Sequence, residues 1–472
     1  MKTKGFIAIM LAALMLLCGC GVTQTPEQAD AGADKATEAP EAPAVTDEPN
    51  ADPPVTTDEP DDGTPAGDPA QFALALPEEG AFPVYEAGSN EWQAALAASR
   101  EAAAAVPDMR GFAKELFNAL SEGREGENIV CSPLNIYMAF AMLAECAEGD
   151  TRAQILSALG VDDITALREG AAAILEAESR SDGVTTSLLA DSIWLNNMFG
   201  FNTDALETLA KLYRAGSFWG DPKDPAFSKA LGRWIDENTG GLLHESAQKE
   251  KLSSDTILAL ASTIYFKAAW DEEYYEENTE RGVFRGLGGD IECSMMKKSV
   301  SARWYRGDGF TALGERLAQE GGWIWYILPD EGRTAEDIMM GAGLDFLLFD
   351  KNEAEPRTAH LTAPKLDVSA DFDLIEAMEK LGMTDCFDPF VSDFSAIAAD
   401  PEGLVVSEAK HTARLKTDEK GLEAAAYTEI TLTFGGYPAD PVDFTLDRPF
   451  GFVITGQSNA PLFIGVVNEP MN

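Results

Sequence analysis

Few residues in this chain could carry out acid–base or metal chemistry. Its three histidines are His244, His360 and His411, and they lie far apart along 472 residues. No HExxH motif, paired CxxC motif or histidine-rich run accompanies them, which argues against a dedicated zinc site. The GxGxxG, GxxxxGK[ST] and GxSxG motifs are also absent from the sequence, so nucleotide-binding and α/β-hydrolase sites lack their usual signals.

Ser132, His411 and an aspartate are the residues that could be nominated for a hydrolase triad. Such a triad needs a serine on a strained turn between a strand and a helix, and no nucleophile-elbow sequence surrounds Ser132. Both side chains are better explained as buried polar groups that hydrogen-bond inside a core. We therefore expect a protein that is not an enzyme and that has no catalytic residue, metal ion or cofactor.

The charge balance restricts the possible partners. The chain has 35 basic and 80 acidic residues, for a net charge of -45. A surface of this kind repels phosphate backbones, so we expect no nucleic-acid partner. Apolar residues make up 45% of the chain and aromatic residues 9%, which is enough for a large core and excludes a wholly disordered protein.

The first 20 residues resemble an export signal. Lys2 and Lys4 precede an apolar run at residues 6–17 that is too short to cross a bilayer as a permanent helix. The sequence LCGC at residues 17–20 resembles the lipobox of bacterial lipoproteins. This predicts a lipidated Cys20 that anchors the exported chain to the outer face of the bacterial cell membrane or cell surface. The alternative is an ordinary cleaved signal with incidental cysteines.

Two further segments precede the main body. Residues 21–70 hold 9 Pro, 13 Asp or Glu, one Lys and no aromatic residue, which predicts a disordered acidic tether. Residues 71–106 are predicted to be a partly ordered N-terminal extension. A helix is expected from Asn90 to Ala105, with Asn90 as its N-cap. The sequence leaves open whether this extension docks on the body.

The body, residues 107–472, reads as one α+β domain. A helical stripe of apolar residues covers 112–120, and Pro133 opens a second helix that is apolar nearly all round and should be buried. Strands are predicted at residues 257–266, 323–328, 450–454 and 462–467. Cys131 and Cys146 would flank the buried helix at a spacing of about 20 Å, too far apart for a disulfide.

Short blocks follow one another along this body in a distinctive order. They are NIVCSP at 128–133, IYFK at 264–267, LGM at 381–383, DRPF at 447–450 and FIG at 463–465. Together they resemble the serpin family over residues 107–472. The resemblance implies a serpin fold with three β-sheets, eight or nine helices and an exposed reactive loop. It also implies a serine protease inhibitor that acts as a suicide substrate: the loop is cleaved, the protease is trapped as an acyl-enzyme, and the cut loop inserts into a sheet as a new strand.

Residues 419–428, EKGLEAAAYT, resemble the hinge of an inhibitory serpin. Small side chains there would limit overpacking when a strand slides between two others, and a glycine would let the backbone bend. A leucine stands where the family usually has a small hydroxyl residue. The predicted hinge residues are Glu419, Gly421, Leu422, Glu423, Ala424, Ala425 and Ala426.

The hinge and the residues after it alternate in polarity. One parity is apolar apart from one threonine and the other is polar or tolerant of exposure, which is typical of a half-buried strand. A breaker-rich stretch follows at residues 435–441. This combination suits a loop that becomes a strand. An ordinary strand would also explain the alternation, but alanine is depleted in strands. The apolar parity comprises Leu422, Ala424, Ala426, Thr428, Ile430 and Leu432.

The resemblance also assigns a polar cluster that controls opening of the central sheet. Its members here are Ser132, Asn135 and His411. Asn135 stands where the family usually has a second serine, and Gly232 and Ser262 each replace a usual asparagine. The cluster is therefore expected to be rewired.

Counting along the loop as in the family places the scissile bond near Gly435–Gly436, just after Phe434. The expected partner is an extracellular serine protease of elastase, chymotrypsin or subtilisin type, with cysteine proteases as a second class. No Arg or Lys lies between Lys420 and Arg448, which argues against trypsin-like targets. We expect a monomer that contacts the membrane through its lipid anchor alone. The alternative function is a non-inhibitory serpin acting as a binding or structural module.

Overall fold

The computed structural model describes residues 67–78, 84–422 and 441–471, all within one unit that spans residues 62–472. These residues form eleven α-helices, eight of which have six or more residues. The helices are α1 (Asn90–Ala103), α2 (Arg110–Ser121), α3 (Pro133–Cys146), α4 (Gly149–Leu159), α5 (Ile164–Glu178), α6 (Thr203–Tyr213), α7 (Pro225–Asn238), α8 (His244–Ala247), α9 (Ala335–Met339), α10 (Ala342–Asp345) and α11 (Ile375–Lys380).

The strands of the described residues form two hydrogen-bonded sheets. They are β1 (Ala73–Ala75), β2 (Ile129–Cys131), β3 (Arg180–Ser181), β4 (Thr185–Asn196), β5 (Gly216–Gly220), β6 (Leu258–Ala269), β7 (Glu280–Gly286), β8 (Gly289–Arg306), β9 (Phe310–Arg316), β10 (Trp323–Pro329), β11 (Glu355–Pro364), β12 (Leu366–Asp373), β13 (Val406–Thr417), β14 (Gly421–Leu422), β15 (Val442–Thr445), β16 (Phe450–Thr455) and β17 (Pro461–Val467).

The first sheet has the strand order β1-β5-β4-β6-β14-β13-β12, with β3 paired to β4. The second runs β15-β11-β8-β9-β10-β16-β17-β2, with β7 paired to β8. The α+β expectation is confirmed. The family resemblance implies three sheets, whereas the described residues form two. The second sheet is continuous because the 18-residue strand β8 pairs with β7, β11 and β9.

Helix α3 forms the centre of the core, and every one of its residues is buried. Pro133 occupies its first turn, where a missing N–H costs nothing, and Ser132 caps it by accepting a hydrogen bond from the Asn135 N–H at 3.3 Å. The helix separates Cys131 from Cys146. Both cysteines are unpaired in the structure, as are the buried Cys293 and Cys386.

The N-terminal extension packs against the body. Helix α1 lies on α5, and its Trp92 donates a hydrogen bond from Nε1 to the Asp182 carboxylate at 2.7 Å. The cap of this helix is Ser89 and not Asn90, because the Ser89 hydroxyl accepts from the Trp92 N–H. Upstream, β1 pairs antiparallel with β5 and so extends the first sheet by one strand.

The boundary drawn at residue 70 between tether and extension is a few residues late. Asp68 caps a 3₁₀ turn at Pro69–Phe72 by accepting from the Ala70 N–H at 2.9 Å, and Pro69 is buried. The ring of Phe72 packs on Phe227 of α7 with centroids 5.0 Å apart. Regular structure therefore begins inside the stretch that the composition assigns to the tether.

Among the described residues, none of the helices is both long enough and apolar enough to span a membrane. The same part of the chain holds no group of three or more His, Cys, Asp or Glu side chains arranged to bind a metal ion.

Candidate functional site

The predicted hinge begins inside the first sheet. Strand β14, Gly421–Leu422, lies between β6 and β13 and pairs antiparallel with both. Leu422 stands opposite Thr417 of β13 on one side and Ala268 of β6 on the other. The chain therefore turns back from β13 and enters the space between two strands of the same sheet.

Farther along, β6 and β13 pair with each other directly. Their parallel pairing runs from Leu258–Val406 to Thr263–Thr412. Between that last pair and β14, the segments 264–267 and 413–416 face one another without a ladder pair in this part of the structure. The two strands are thus direct neighbours at residues 258–263 of β6 and are separated by β14 at residues 268–269.

Both residues of β14 fit this position closely. A Cβ atom on Gly421 would lie 2.2 Å from the Ala268 carbonyl oxygen, so only glycine permits this approach to β6. The sequence suggested that Gly421 serves to bend the backbone, whereas its extended backbone shows that close approach is the reason. Leu422 is 1% exposed, so the larger side chain at this inward position already has a pocket.

Two aromatic residues that follow β6 hold the hinge in place. Trp270 donates from its backbone N–H to the Lys420 carbonyl at 3.1 Å and from Nε1 to the Asp418 carbonyl at 2.9 Å. The Tyr274 N–H donates to the Glu419 carbonyl at 3.0 Å. The three residues before β14 are thereby fixed through their main chain, whatever side chains they carry.

Glu419 adds an electrostatic contact to these backbone hydrogen bonds. Its carboxylate accepts from the Thr279 hydroxyl at 2.8 Å and pairs with Lys365 at 2.7 Å. Burial acts to raise the pKa of the Glu419 carboxyl, but the hydrogen bonds from Lys365 and Thr279 outweigh it and hold that pKa below its usual value. The side chain is therefore an anion at neutral pH.

A buried ion pair supports the two aromatic rings. The Lys298 ammonium lies 2.6 Å from the Glu315 carboxylate, and both side chains are 3% exposed or less. The same ammonium sits 4.7 Å from the Trp270 ring centroid and 4.1 Å from that of Tyr274, within cation–π range. Burial lowers the pKa of Lys298, while Glu315 opposes that effect.

The predicted sheet-opening cluster is brought together where β6 and β13 pair directly. The Ser132 N–H donates to His411 Nε2 at 3.0 Å, and the Asn135 amide donates to the Ser262 hydroxyl. Ser262 and His411 are themselves opposite each other in the β6–β13 ladder. Parting these strands at the cluster therefore requires that these contacts break.

Asp191 of β4 joins this cluster and was not found from the sequence. It lies opposite Ser262 across the β4–β6 ladder, is 2% exposed, and is hydrogen-bonded by that serine. Burial raises the pKa of Asp191 to about 8. Burial also lowers the pKa of the neighbouring His411 to about 3, so this imidazole is neutral at physiological pH.

We expect Asp191→Asn to remove a destabilising response to alkaline pH. Between pH 4 and 8 the folded chain keeps a proton on Asp191 that the unfolded chain has released, so stability falls as pH rises, by about 1.4 kcal/mol per pH unit. The stability of the variant relative to the parent should therefore increase by about 3–4 kcal/mol between pH 5 and pH 8. Urea unfolding of both at the two pH values measures this difference.

His411 changes stability in the opposite direction. Its lowered pKa gives stability that is present above pH 6.5 and is lost as pH falls toward 3. Because both proteins keep His411, that contribution cancels in the comparison with Asp191→Asn. An advantage of the variant that is the same at pH 5 and pH 8 would contradict a titrating Asp191.

The remaining predicted site residues lie outside the described part of the chain. They are Glu423, Ala424, Ala425, Ala426, Phe434, Gly435, Gly436 and Cys20. The chain is described again from residue 441, and β15 pairs parallel with β11 in the second sheet. Residues 423–440 thus connect the first sheet to the second.

Comparison with known proteins gives one consistent family. A family model described as Serpin (serine protease inhibitor) matches residues 108–470. Alpha-1-antiproteinase F of Cavia porcellus is 28% identical over 370 residues, which cover 76% of this chain and 89% of the relative. Alpha-1-antiproteinase 2 of Equus caballus is 29% identical over 377 residues, with coverages of 77% and 87%.

Solved structures are similar over most of their length. The crystal structure of a thermophilic serpin, tengpin, in the native state has a TM-score of 0.68 at 25% identity and covers 84% of this chain and 97% of that one. Human thyroxine-binding globulin complexed with thyroxine has a TM-score of 0.70 at 23% identity, with coverages of 79% and 100%. The second similarity concerns the fold alone.

Proposed function

This chain belongs to the serpin family, and we propose that it inhibits extracellular serine proteases as a suicide substrate. The observation that carries the proposal is β14: two hinge residues already lie between β6 and β13, so the chain enters the sheet where insertion would begin. The chain that continues from Leu422 has the alternating pattern of a strand. Its proposed path after cleavage is along the line between these two strands.

The lengths of the segments agree. Strands β6 and β13 each have 12 residues. The alternating segment from Leu422 to Thr433 also has 12 residues and ends just before the expected scissile bond. A strand of that length would fill the sheet from the hinge to the far end of β6.

Insertion would also improve the backbone pairing. The direct contact between β6 and β13 is parallel, whereas a strand continuing from β14 is antiparallel to both neighbours. Antiparallel pairing is slightly more stable per residue, and each inserted residue adds new ladder hydrogen bonds. These gains would exceed the cost of breaking the Ser262–His411 contact in the cluster, so the cleaved form should be the more stable one.

The chemical step uses the protease's own serine. Its Oγ attacks the carbonyl carbon of the residue before the scissile bond, the C–N bond breaks, and the new amino terminus takes up a proton. The protease remains attached as an ester to the inserting strand. Twelve residues of strand would carry it about 40 Å along the sheet, and distortion of its active site would prevent water from completing hydrolysis.

The proposed specificity follows from the residues around the cut. Phe434 or Tyr437 would suit a chymotrypsin- or subtilisin-like pocket, whereas Gly435 would suit a small pocket of elastase type. Cysteine proteases are a second target class, because they too form an acyl-enzyme. We further propose that the inhibitor acts as a monomer.

The test is to mix residues 21–472 with elastase-, chymotrypsin- and subtilisin-type proteases and to analyse the products on denaturing gels. We expect a boil-resistant band at the summed mass, a cut between Thr433 and Tyr437 by mass spectrometry, and a higher melting temperature after the cut. Trypsin is the matched control, because no Arg or Lys lies between Lys420 and Arg448.

Cleavage by every protease without a stable band, and without a rise in melting temperature, would overturn inhibition. A non-inhibitory serpin acting as a binding or structural module would then be the better assignment. Leu422, which departs from the family's usual small hydroxyl residue, is the feature that favours this second function.

We propose that Cys20 is lipidated and that residues 21–66 hold the inhibitor away from the outer face of a bacterial membrane. The support is the sequence alone: a charged start, an apolar run and the lipobox-like LCGC. Cys20→Ser should move the protein from the membrane fraction to the soluble fraction when expressed in a bacterium. Equal membrane retention of both proteins would contradict lipid anchoring.

A further inference from the structure

A groove of about 790 Å³ lies between α7 and the segment that runs from α8 to Leu252. That volume is within the range of small-molecule sites. Its apolar lining includes Pro222, Pro225, Ala247 and Leu252. Gly232, which replaces an asparagine usual in the family, also lines the groove, whereas Ser132, Asn135, Asp191 and His411 do not.

Basic side chains surround this apolar lining. Lys223, Lys229, Arg233 and Lys251 line the groove in a chain whose net charge is -45. All three lysines are exposed, and within the described ranges none of them has an ion-pair partner. Arg233 shares its charge with the exposed Glu237 at 3.0 Å.

Two acidic residues also line the groove. Asp236 shares a hydrogen bond with His244 at 3.0 Å, and Glu250 pairs with Lys410 at 2.8 Å. Four basic side chains thus line the groove against two acidic ones, on a strongly acidic protein. A ligand that enters it gains from negative charge and from apolar surface together.

The shape of the groove depends on one glycine. A Cβ atom on Gly232 would lie 2.3 Å from the Ala247 carbonyl oxygen. Helix α7 can therefore approach α8 this closely only with glycine at position 232. Any side chain there would push the α8 segment outward and change the wall of the groove.

We propose that this groove binds a free amphipathic monoanion, such as a medium-chain fatty acid or an aromatic acid. The apolar body would lie against Pro225, Ala247 and Leu252, and the acid group would lie among Lys223, Lys229 and Lys251. An inorganic anion would leave the apolar wall uncovered, and a neutral amphiphile would leave the lysines unpaired.

The position of the groove gives such a ligand a consequence that rests on the proposed inhibition. Leu231 and Ile235 of α7 lie over residues 259–263 of β6 and Thr412 of β13. A ligand that ties α7 to the α8 segment would hold this helix across the strands that must part. Strand insertion should then slow, while binding itself remains measurable whether or not the protein is an inhibitor.

The binding test uses two fluorescent probes with related aromatic bodies. 8-Anilinonaphthalene-1-sulfonate carries an anionic group, and N-phenyl-1-naphthylamine is neutral. On residues 21–472 we expect saturable 1:1 binding of the sulfonate, weaker binding of the neutral probe, and displacement of the sulfonate by decanoate but not by decyltrimethylammonium. Lys229→Glu with Lys251→Glu should weaken sulfonate binding about tenfold or more.

The control variant is Lys211→Glu with Lys297→Glu. It makes the same change in net charge at two exposed lysines that do not line the groove. Equal weakening in both variants, equal affinity for both probes, or displacement by phosphate at the concentrations at which decanoate acts would each overturn the proposal. If the glutamate variant fails to fold, Lys229→Gln with Lys251→Gln serves in its place.

Discussion

Arginine at position 424 should convert the proposed inhibitor into a substrate. The Leu422 side chain is 1% exposed and packs in the main hydrophobic core. Ala424 is the next residue on the same face of the strand. Insertion of the cut loop would bury the arginine without a partner, at a cost of several kcal/mol. Ala424→Arg should therefore be cleaved without forming a boil-resistant complex, and the stability gain after cleavage should disappear.

Ala425→Arg is the matched control for this change. It introduces the same side chain one residue farther on, where the alternation places it on the other face of the inserted strand. It should retain at least most of the complex formation of the parent protein. Similar behaviour of the two variants would contradict the parity of insertion, and complex formation by Ala424→Arg would contradict insertion at this position.

Removing the charge of Glu315 should be the most destabilising single change in the described part of the hinge support. Glu315→Gln leaves the ammonium of Lys298 buried without its counter-ion, which typically costs about 3–5 kcal/mol. Trp270 and Tyr274 pack on that ammonium, so their hold on the residues before β14 should weaken as well. Urea unfolding measures the first effect.

The double variant Lys298→Met, Glu315→Gln tests the cause. It removes both charges but keeps an acceptor for the Tyr326 hydroxyl, which donates to Glu315 at 3.0 Å. Replacement of a buried ion pair by neutral groups is often close to neutral in stability, so the double variant should recover most of the loss. A single variant within about 1 kcal/mol of the parent would show that the pair contributes little. Hydrogen exchange at the backbone amides of residues 418–422 would measure how firmly Trp270 and Tyr274 fix the hinge.

The helices and strands of the core are the elements that the sequence predicts best. Pro133 with the apolar residues that follow it predicted the buried helix α3, and the structure has it at Pro133–Cys146. The predicted strands at residues 323–328 and 450–454 correspond to β10 and β16 within one or two residues. These elements could be predicted because periodicity and helix-start signals are properties of neighbouring residues.

The contacts around the hinge could not be predicted in this way. Nothing in the sequence pairs Lys298 with Glu315 or brings Trp270 to the residues before β14. The only available signal was a lysine within strand β8, whose alternation places it on the buried face with Met296 and Val300. Such a signal shows that a charge is buried but does not identify its partner.

The sequence by itself determined the fold family, the alternation of the hinge segment and the identity of Ser132, Asn135 and His411 as candidates. Only the tertiary structure decided that Asp191 joins their cluster, and that Leu422 already lies between β6 and β13. The physical reason is that alternation and caps depend on residues close in the chain. Strand order and register depend on packing between residues more than a hundred positions apart.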